Sequence, residues 1–154
     1  MWQGFGKSND KRKKDVLYCY HELFGDRGEI RMAKLLWIGF GGAFGAVLRY
    51  LLSLIPVKGN FPAVTLAVNI SGAVLIGAVV CAASRAALTQ PLVLFLKVGV
   101  CGGFTTFSTF SLETLQLLES GKYLQGLFYA LLSVAACVAG VFLGRSILEA
   151  ILVR

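Results

Sequence analysis

The sequence predicts an all-α membrane protein with four transmembrane helices. The chain has 154 residues, of which 56% are hydrophobic, and its mean hydropathy is +0.73. These values are too apolar for a soluble domain of this size. The charges are also unevenly placed, since 12 of the 23 charged residues lie in the first 31 positions. From Met32 onward the chain therefore consists mainly of long uncharged runs.

Four apolar runs follow one another after that point. They cover 33–55, 62–83, 92–118 and 123–144, and each is long enough to cross about 30 Å of hydrocarbon as a helix. The connections at 56–61, 84–91 and 119–122 are too short to contain a soluble domain. We therefore expect a single four-helix transmembrane domain over 32–154.

The leader, 1–31, differs from the rest of the chain because it is polar, mixed in charge and not periodic. The run MAKLLWIGFGGAFG reads like a fresh start, so Met32 is predicted to be the native initiator and the leader an upstream-start artefact. A disordered cytoplasmic tail is the alternative. A signal peptide is not expected, because the basic residues lie too far from the first apolar run.

Basic residues are almost evenly divided between the two sides of the predicted bundle. From Met32 onward, one side has four and the other has three: Lys34, Arg85, Arg145 and Arg154 against Arg49, Lys58 and Lys122. The positive-inside rule then gives little direction, and both orientations are allowed. A chain that inserts both ways can form an antiparallel dual-topology dimer, either a homodimer or a pair with a paralogue.

Small residues at four-residue spacing occur in three of the runs: Gly41/Gly45, Ala73/Gly77 and Ala136/Gly140/Gly144. Such spacing lets two helix backbones approach closely. It fits packing within one chain and packing between two chains equally well.

Residue types needed for catalysis or metal binding are scarce. The only histidine, His21, lies in the leader, and the four cysteines have no metal-ligand spacing: Cys19, Cys81, Cys101 and Cys137. We see no pair of a nucleophile and a base. The chain is therefore not expected to be an enzyme.

The centre of the third run carries the most information. Gly102-Gly103 is followed by five hydroxyl residues within seven positions: Thr105, Thr106, Ser108, Thr109 and Ser111. Lipid cannot bond these groups, and adjacent glycines predict a helix break near Gly102-Gly103. A break exposes carbonyls that favour a small cation, and amides and hydroxyls that favour an anion. The alternative is an unbroken helix whose hydroxyls bond its own carbonyls.

Four further polar positions lie inside the other spans. Asn69 is the one strongly polar side chain in the middle of the second run, with Thr65 four residues earlier on the same face. An asparagine there either bonds a neighbouring helix or lines an aqueous path. In the fourth run, Tyr129 and Ser133 are four residues apart and can donate from one face.

Aromatic and charged residues add further candidates. Phe107 and Phe110 share a helix face, and the positive edges of their rings can line a path for an anion. Arg49, at the end of the first run, either reaches the membrane interface or draws anions into a vestibule. Lys97 and Glu113 lie nearer the interior or edge of the third span, and Glu113 can accept a hydrogen bond that orients a pore residue.

Together these residues resemble the Fluc family, also called CrcB, of fluoride ion channels. The blocks that carry the resemblance are 41–50 (GGAFGAVLRY), 65–72 (TLAVNISG) and 102–111 (GGFTTFSTFS) with Glu113, and the third block is highly specific. The resemblance implies a fluoride-selective channel that exports fluoride passively as an antiparallel dimer with two pores. It also implies a bacterial plasma membrane protein. A proton-coupled fluoride transporter that uses Glu113 is the alternative.

The resemblance also assigns roles to individual residues. It implies that the fluoride pore is built from Asn69, Phe107, Ser108, Thr109, Phe110, Tyr129 and Ser133, with Arg49 in the vestibule. The backbone carbonyls of Gly102 and Thr105 would hold a structural sodium ion at the dimer interface. The expected partners are fluoride, sodium, membrane lipid and a second copy, with no nucleic acid. The chain departs from the family pattern at Val64, often Gly, and at Cys137, a hydroxyl position.

Overall fold

The computed structural model describes residues 32–57, 59 and 61–152, so the predicted leader lies outside the described residues. The described residues form the following helices: α1 Met32–Ser53, α2 Ala63–Ser84, α3 Gln90–Val93, a π-helical segment Leu94–Val100, α4 Cys101–Phe104, α5 Phe107–Glu119 and α6 Tyr123–Leu152. The elements from Gln90 to Glu119 make up one span, called the third span below. With it, four helices are long and apolar enough to cross a membrane, which confirms the predicted all-α, multi-pass architecture.

The last helix, α6, extends beyond the predicted end at position 144. It has 30 residues, or about 45 Å of helix, and so exceeds the hydrocarbon thickness. Arg145 does not end it, since a charged side chain is compatible with a helix that has left the apolar layer. Near this end, Glu149 accepts an ion-paired hydrogen bond of 2.9 Å from Arg85, which follows α2.

The four spans pack as two parallel pairs, α1 with the third span and α2 with α6, through glycines. A Cβ atom on Gly45 would collide with the Val100 carbonyl oxygen, and one on Gly144 would collide with the Val74 carbonyl oxygen. Both glycines therefore allow backbone-to-backbone contact. The small-residue spacing in the sequence thus serves packing within one chain at these positions.

The third span breaks at Thr105-Thr106, just after the predicted Gly102-Gly103. Both threonines have extended backbone (φ −80°, ψ 154° and φ −147°, ψ 111°), a conformation that β-branched residues adopt readily. The two glycines remain helical in α4. Gly103 is needed for packing instead, because a Cβ atom there would collide with the Gly42 carbonyl oxygen of α1.

Candidate functional site

A cavity of about 480 Å³ lies beside the break in the third span. Residues of α2, the third span and α6 line it together. Its lining includes six of the site residues predicted from the sequence: Asn69, Gly102, Thr105, Phe107, Phe110 and Ser133. The fold therefore gathers side chains from three spans at the point where the helix is interrupted.

Asn69 fastens α2 to the break through two hydrogen bonds. Its Nδ2 donates to the Thr106 carbonyl oxygen at 3.2 Å, and its Oδ1 accepts from the Thr106 backbone N–H at 2.8 Å. The Asn69 side chain thus satisfies both backbone groups of the residue that caps α5. Asn69 therefore bonds a neighbouring span, and it also lies on the cavity wall.

The break redirects two backbone donors away from their helical acceptors. In a continuous helix, the N–H of Thr106 would bond the Gly102 carbonyl and that of Thr109 would bond the Thr105 carbonyl. Instead, Thr106 N–H donates to Asn69 Oδ1, and Thr109 N–H donates to the Thr106 hydroxyl oxygen at 3.1 Å. The carbonyls of Gly102 and Thr105 therefore lack these helical donors. They are also the two carbonyls that the family resemblance assigns to sodium.

Ser133 brings a hydroxyl group to the cavity from α6. It is only 6% exposed, and its Oγ has no hydrogen-bond partner within the described part of the chain. A buried hydroxyl is costly unless it is hydrogen-bonded. The Ser133 hydroxyl can therefore be satisfied by an ion or a water molecule in the cavity.

Two phenyl rings form the aromatic part of the cavity wall. Phe107 and Phe110 have ring centroids 5.3 Å apart at an interplanar angle of 45°. Phe110 is buried and packs against Tyr129 with a centroid distance of 5.3 Å, whereas Phe107 is 77% exposed. One ring is therefore fixed by the core, and the other stands at the open side of the cavity.

Glu113 is the centre of a polar network behind Phe110. The Tyr129 hydroxyl donates to Glu113 Oε2 and the Thr65 hydroxyl donates to Glu113 Oε1, each at 2.7 Å. Tyr129 is completely buried. Neither Tyr129 nor Glu113 is among the described residues that line the cavity. Sequence reasoning left Thr65 out of the site, although its spacing to Asn69 was a usable signal.

Three of the predicted pore residues lie around the break and not on the cavity wall. The Ser108 hydroxyl is 3.2 Å from the Thr106 hydroxyl, which donates to Thr109 Oγ1 at 3.0 Å. Arg49 Nε donates to the Gly103 carbonyl oxygen at 3.2 Å. Their roles toward fluoride, like that of Tyr129, stay predictions. Other hydroxyls bond helix carbonyls, as the alternative for this segment expected: Thr105, Ser111 and Thr114.

The cavity also has two members that the sequence did not place in the site, Cys137 and Lys97. Cys137 is one turn after Ser133 and is a free thiol, so the departure from the family pattern falls on the cavity wall. Lys97 is a cation inside a span, which was the available signal.

The four spans define a multi-pass membrane protein with a cavity at a helix break, and polar and aromatic side chains stand among the apolar residues that line this cavity. The chain belongs to the CrcB family, because the model described as "CrcB-like protein, Camphor Resistance (CrcB)" matches residues 36–145. This confirms the resemblance drawn from the three sequence blocks.

Relatives named "Fluoride-specific ion channel FluC" match over nearly their whole length. That of Phocaeicola vulgatus is 50% identical over 116 residues, 73% of this chain and 96% of the relative. That of Methanococcus maripaludis is 45% identical over 115 residues, 74% of this chain and 94% of the relative. That of Geobacter sulfurreducens is 48% identical over 117 residues, 73% of this chain and 94% of the relative.

Proposed function

We propose that this protein is a passive, fluoride-selective ion channel and not an enzyme. The observation that carries the proposal is the buried Ser133 hydroxyl, which has no partner among the described residues and shares a cavity with Asn69 and two phenyl rings. Relatives that this chain matches over nearly their full length are named as fluoride channels. Their names and this cavity point to the same activity.

Fluoride is small and holds its water tightly, so a pore must replace that water with several donors at once. The Ser133 O–H and the second amide hydrogen of Asn69 are donors on one cavity wall. The ring edges of Phe107 and Phe110 carry partial positive charge and add weaker contacts. A path narrow enough for these donors to surround fluoride would be too small for chloride, which would give the selectivity a physical basis.

Export needs no energy source in this proposal. Fluoride that has entered as neutral HF ionises in the cytoplasm, and the negative-inside potential drives the anion out by about 2.3 kcal/mol per 100 mV. The alternative, proton coupling through Glu113, is less well supported. That carboxylate is held by Thr65 and Tyr129, away from the described cavity wall. The proposed location is the plasma membrane.

The proposed working unit is an antiparallel dual-topology homodimer. Phe107 is 77% exposed at the open side of the cavity, so a second copy would complete the wall there. Apart from Lys97, which lies within a span, the described basic residues are nearly balanced between the two sides of the membrane: Lys34, Arg85 and Arg145 against Arg49 and Lys122. This balance permits the two opposite insertions that such a dimer needs.

A structural sodium ion belongs to the same proposal. The Gly102 and Thr105 carbonyls lose their helical donors at the break, and both residues line the cavity. Carbonyl oxygens at the end of an interrupted helix are suitable ligands for Na⁺. The ion would supply positive charge where two chains bring these carbonyls together.

Fluoride efflux from liposomes tests the proposal. Vesicles that contain the purified protein are loaded with potassium fluoride, and an external fluoride electrode records release after valinomycin is added. We expect release that is unaffected by a pH gradient and at least ten times faster than chloride release. Phe110→Ile keeps an apolar side chain but removes the ring edges, so it should lower fluoride release at least tenfold. Phe142→Ile, on the exposed surface of α6, should leave it unchanged.

Equal fluoride and chloride release would refute selectivity, and release driven by a pH gradient would establish the proton-coupled alternative. Fluoride release that is the same in Phe110→Ile as in wild type would show that the ions take a path other than this cavity.

A further inference from the structure

Lys97 places a cation on the wall of the proposed fluoride cavity. It lies within the third span, about two helical turns, or roughly 10 Å, before the break. It lines the same cavity as Asn69, Phe110 and Ser133. An ionisable side chain inside a span is costly and usually marks an ion pathway. None of the roles assigned above includes this residue.

The cavity extends from the break toward Lys97. On α6, the lining residues continue from Ser133 to Cys137 and Val141 in steps of one turn. These steps lead toward the side of the membrane at which the third span begins, because the third span and α6 run in opposite directions. The cavity therefore has an aromatic and hydroxyl-bearing region near Phe110 and a cationic region at Lys97.

The local backbone sets this lysine apart from an ordinary helix position. Lys97 lies in the middle of the seven-residue π-helical segment Leu94–Val100. π-Helical turns are rare and are found frequently at functional sites. The wider turn and the cavity wall are independent features that coincide at the same residue.

We propose that Lys97 is a fluoride-recruiting site at the second end of this cavity. This inference rests on the proposed channel function and adds a residue to it. A lysine ammonium group is a cation, and charge lining a low-dielectric cleft raises the local concentration of the opposite ion. Fluoride held there passes to the Asn69 and Ser133 donors, which replace its remaining water.

The test is the dependence of the initial efflux rate on fluoride concentration in the liposome assay. Lys97→Met removes the charge and retains an unbranched side chain. We expect it to raise the half-saturating fluoride concentration about tenfold, with little change in the maximal rate. Lys97→Arg keeps the charge and should remain within about twofold of wild type. Lys34→Met, which removes a cation near the start of α1, is the matched control and should not shift the curve.

The assay distinguishes a failure of the channel function from a failure of the recruiting site. Wild-type vesicles without fluoride release would overturn the channel function and this inference with it. Wild-type release together with an unshifted Lys97→Met curve would overturn the recruiting site alone. An equal loss of maximal rate in the Met and Arg variants would show that Lys97 only supports the helix. If Lys97→Met is not monodisperse in detergent, Lys97→Gln replaces it and must show the same shift.

Discussion

Tyr129→Phe separates two roles for the same hydroxyl group. The family resemblance implies that Tyr129 donates to fluoride. In the structure, its O–H donates to Glu113 Oε2 at 2.7 Å from a fully buried position. The substitution keeps the ring that packs on Phe110 and Phe61 and removes only the hydroxyl. If the structural role is the main one, the variant should lose stability and keep its fluoride flux.

The size of the loss follows from the bond that is removed. Hydrogen bonds to charged groups contribute about 1.5–3 kcal/mol in soluble proteins, while bonds between membrane helices average about 0.6 kcal/mol and reach about 1.7 kcal/mol. The bond from Tyr129 is short and its acceptor is a carboxylate. We therefore expect the free energy of unfolding to fall by about 1.5 kcal/mol, near the top of the membrane range.

The assay is reversible unfolding in mixed micelles with increasing denaturing detergent, together with fluoride efflux from liposomes. Thr65→Val removes the other 2.7 Å bond to Glu113 and should cost a similar amount. The double variant should cost more than the sum, because Glu113 then loses both donors. Tyr123→Phe, on the exposed start of α6, is the control and should change stability by less than about 0.5 kcal/mol. Unchanged stability with abolished flux in Tyr129→Phe would refute this reasoning and restore the direct role toward fluoride.

Two further predictions concern the break and the helix packing. Arg49→Lys keeps the charge but not the Nε bond to the Gly103 carbonyl. We therefore expect this variant to lose about 1 kcal/mol of stability and to slow fluoride efflux as much as Arg49→Met does. Full efflux in the lysine variant would show that charge alone matters. Gly144→Ala brings a Cβ atom against the Val74 carbonyl and should cost about 2 kcal/mol in the unfolding titration. Gly39→Ala has open space around it and should be tolerated, so equal costs for the two would contradict the packing described here.

The number of spans could be predicted from the sequence because a bilayer imposes length and apolarity on each one. The end of α6 could not, since a helix that has left the hydrocarbon continues past Arg145 without any change in local preference. The break itself was predictable from the glycines and hydroxyls. The position of the break at Thr105-Thr106 could not be predicted. Gly103 stays helical and packs against α1, and this packing cannot be read from the sequence.

Part of the candidate site could likewise be predicted from the sequence, and part could not. Asn69, Phe110 and Ser133 stand out in the sequence because polar and paired aromatic residues are conspicuous inside apolar runs. The spacing of Thr65 to Asn69 and the candidate acceptor Glu113 were visible in the sequence. The pairing of Thr65 and Tyr129 with Glu113 was not, because it joins three separate elements.

The break ties the proposed cation site and the proposed anion site to the same set of hydrogen bonds. Inside a bilayer, a helix can be interrupted only if each freed backbone group finds another partner. Asn69 takes the Thr106 N–H and the Thr106 hydroxyl takes the Thr109 N–H, and in doing so they keep these donors from the carbonyls of Gly102 and Thr105. Without Asn69, the Thr106 N–H would be free to bond the Gly102 carbonyl and extend α4 toward α5. The same loss would then remove a ligand from the proposed sodium site and a donor from the proposed fluoride path, so Asn69 would couple these two proposed sites through the backbone of the break.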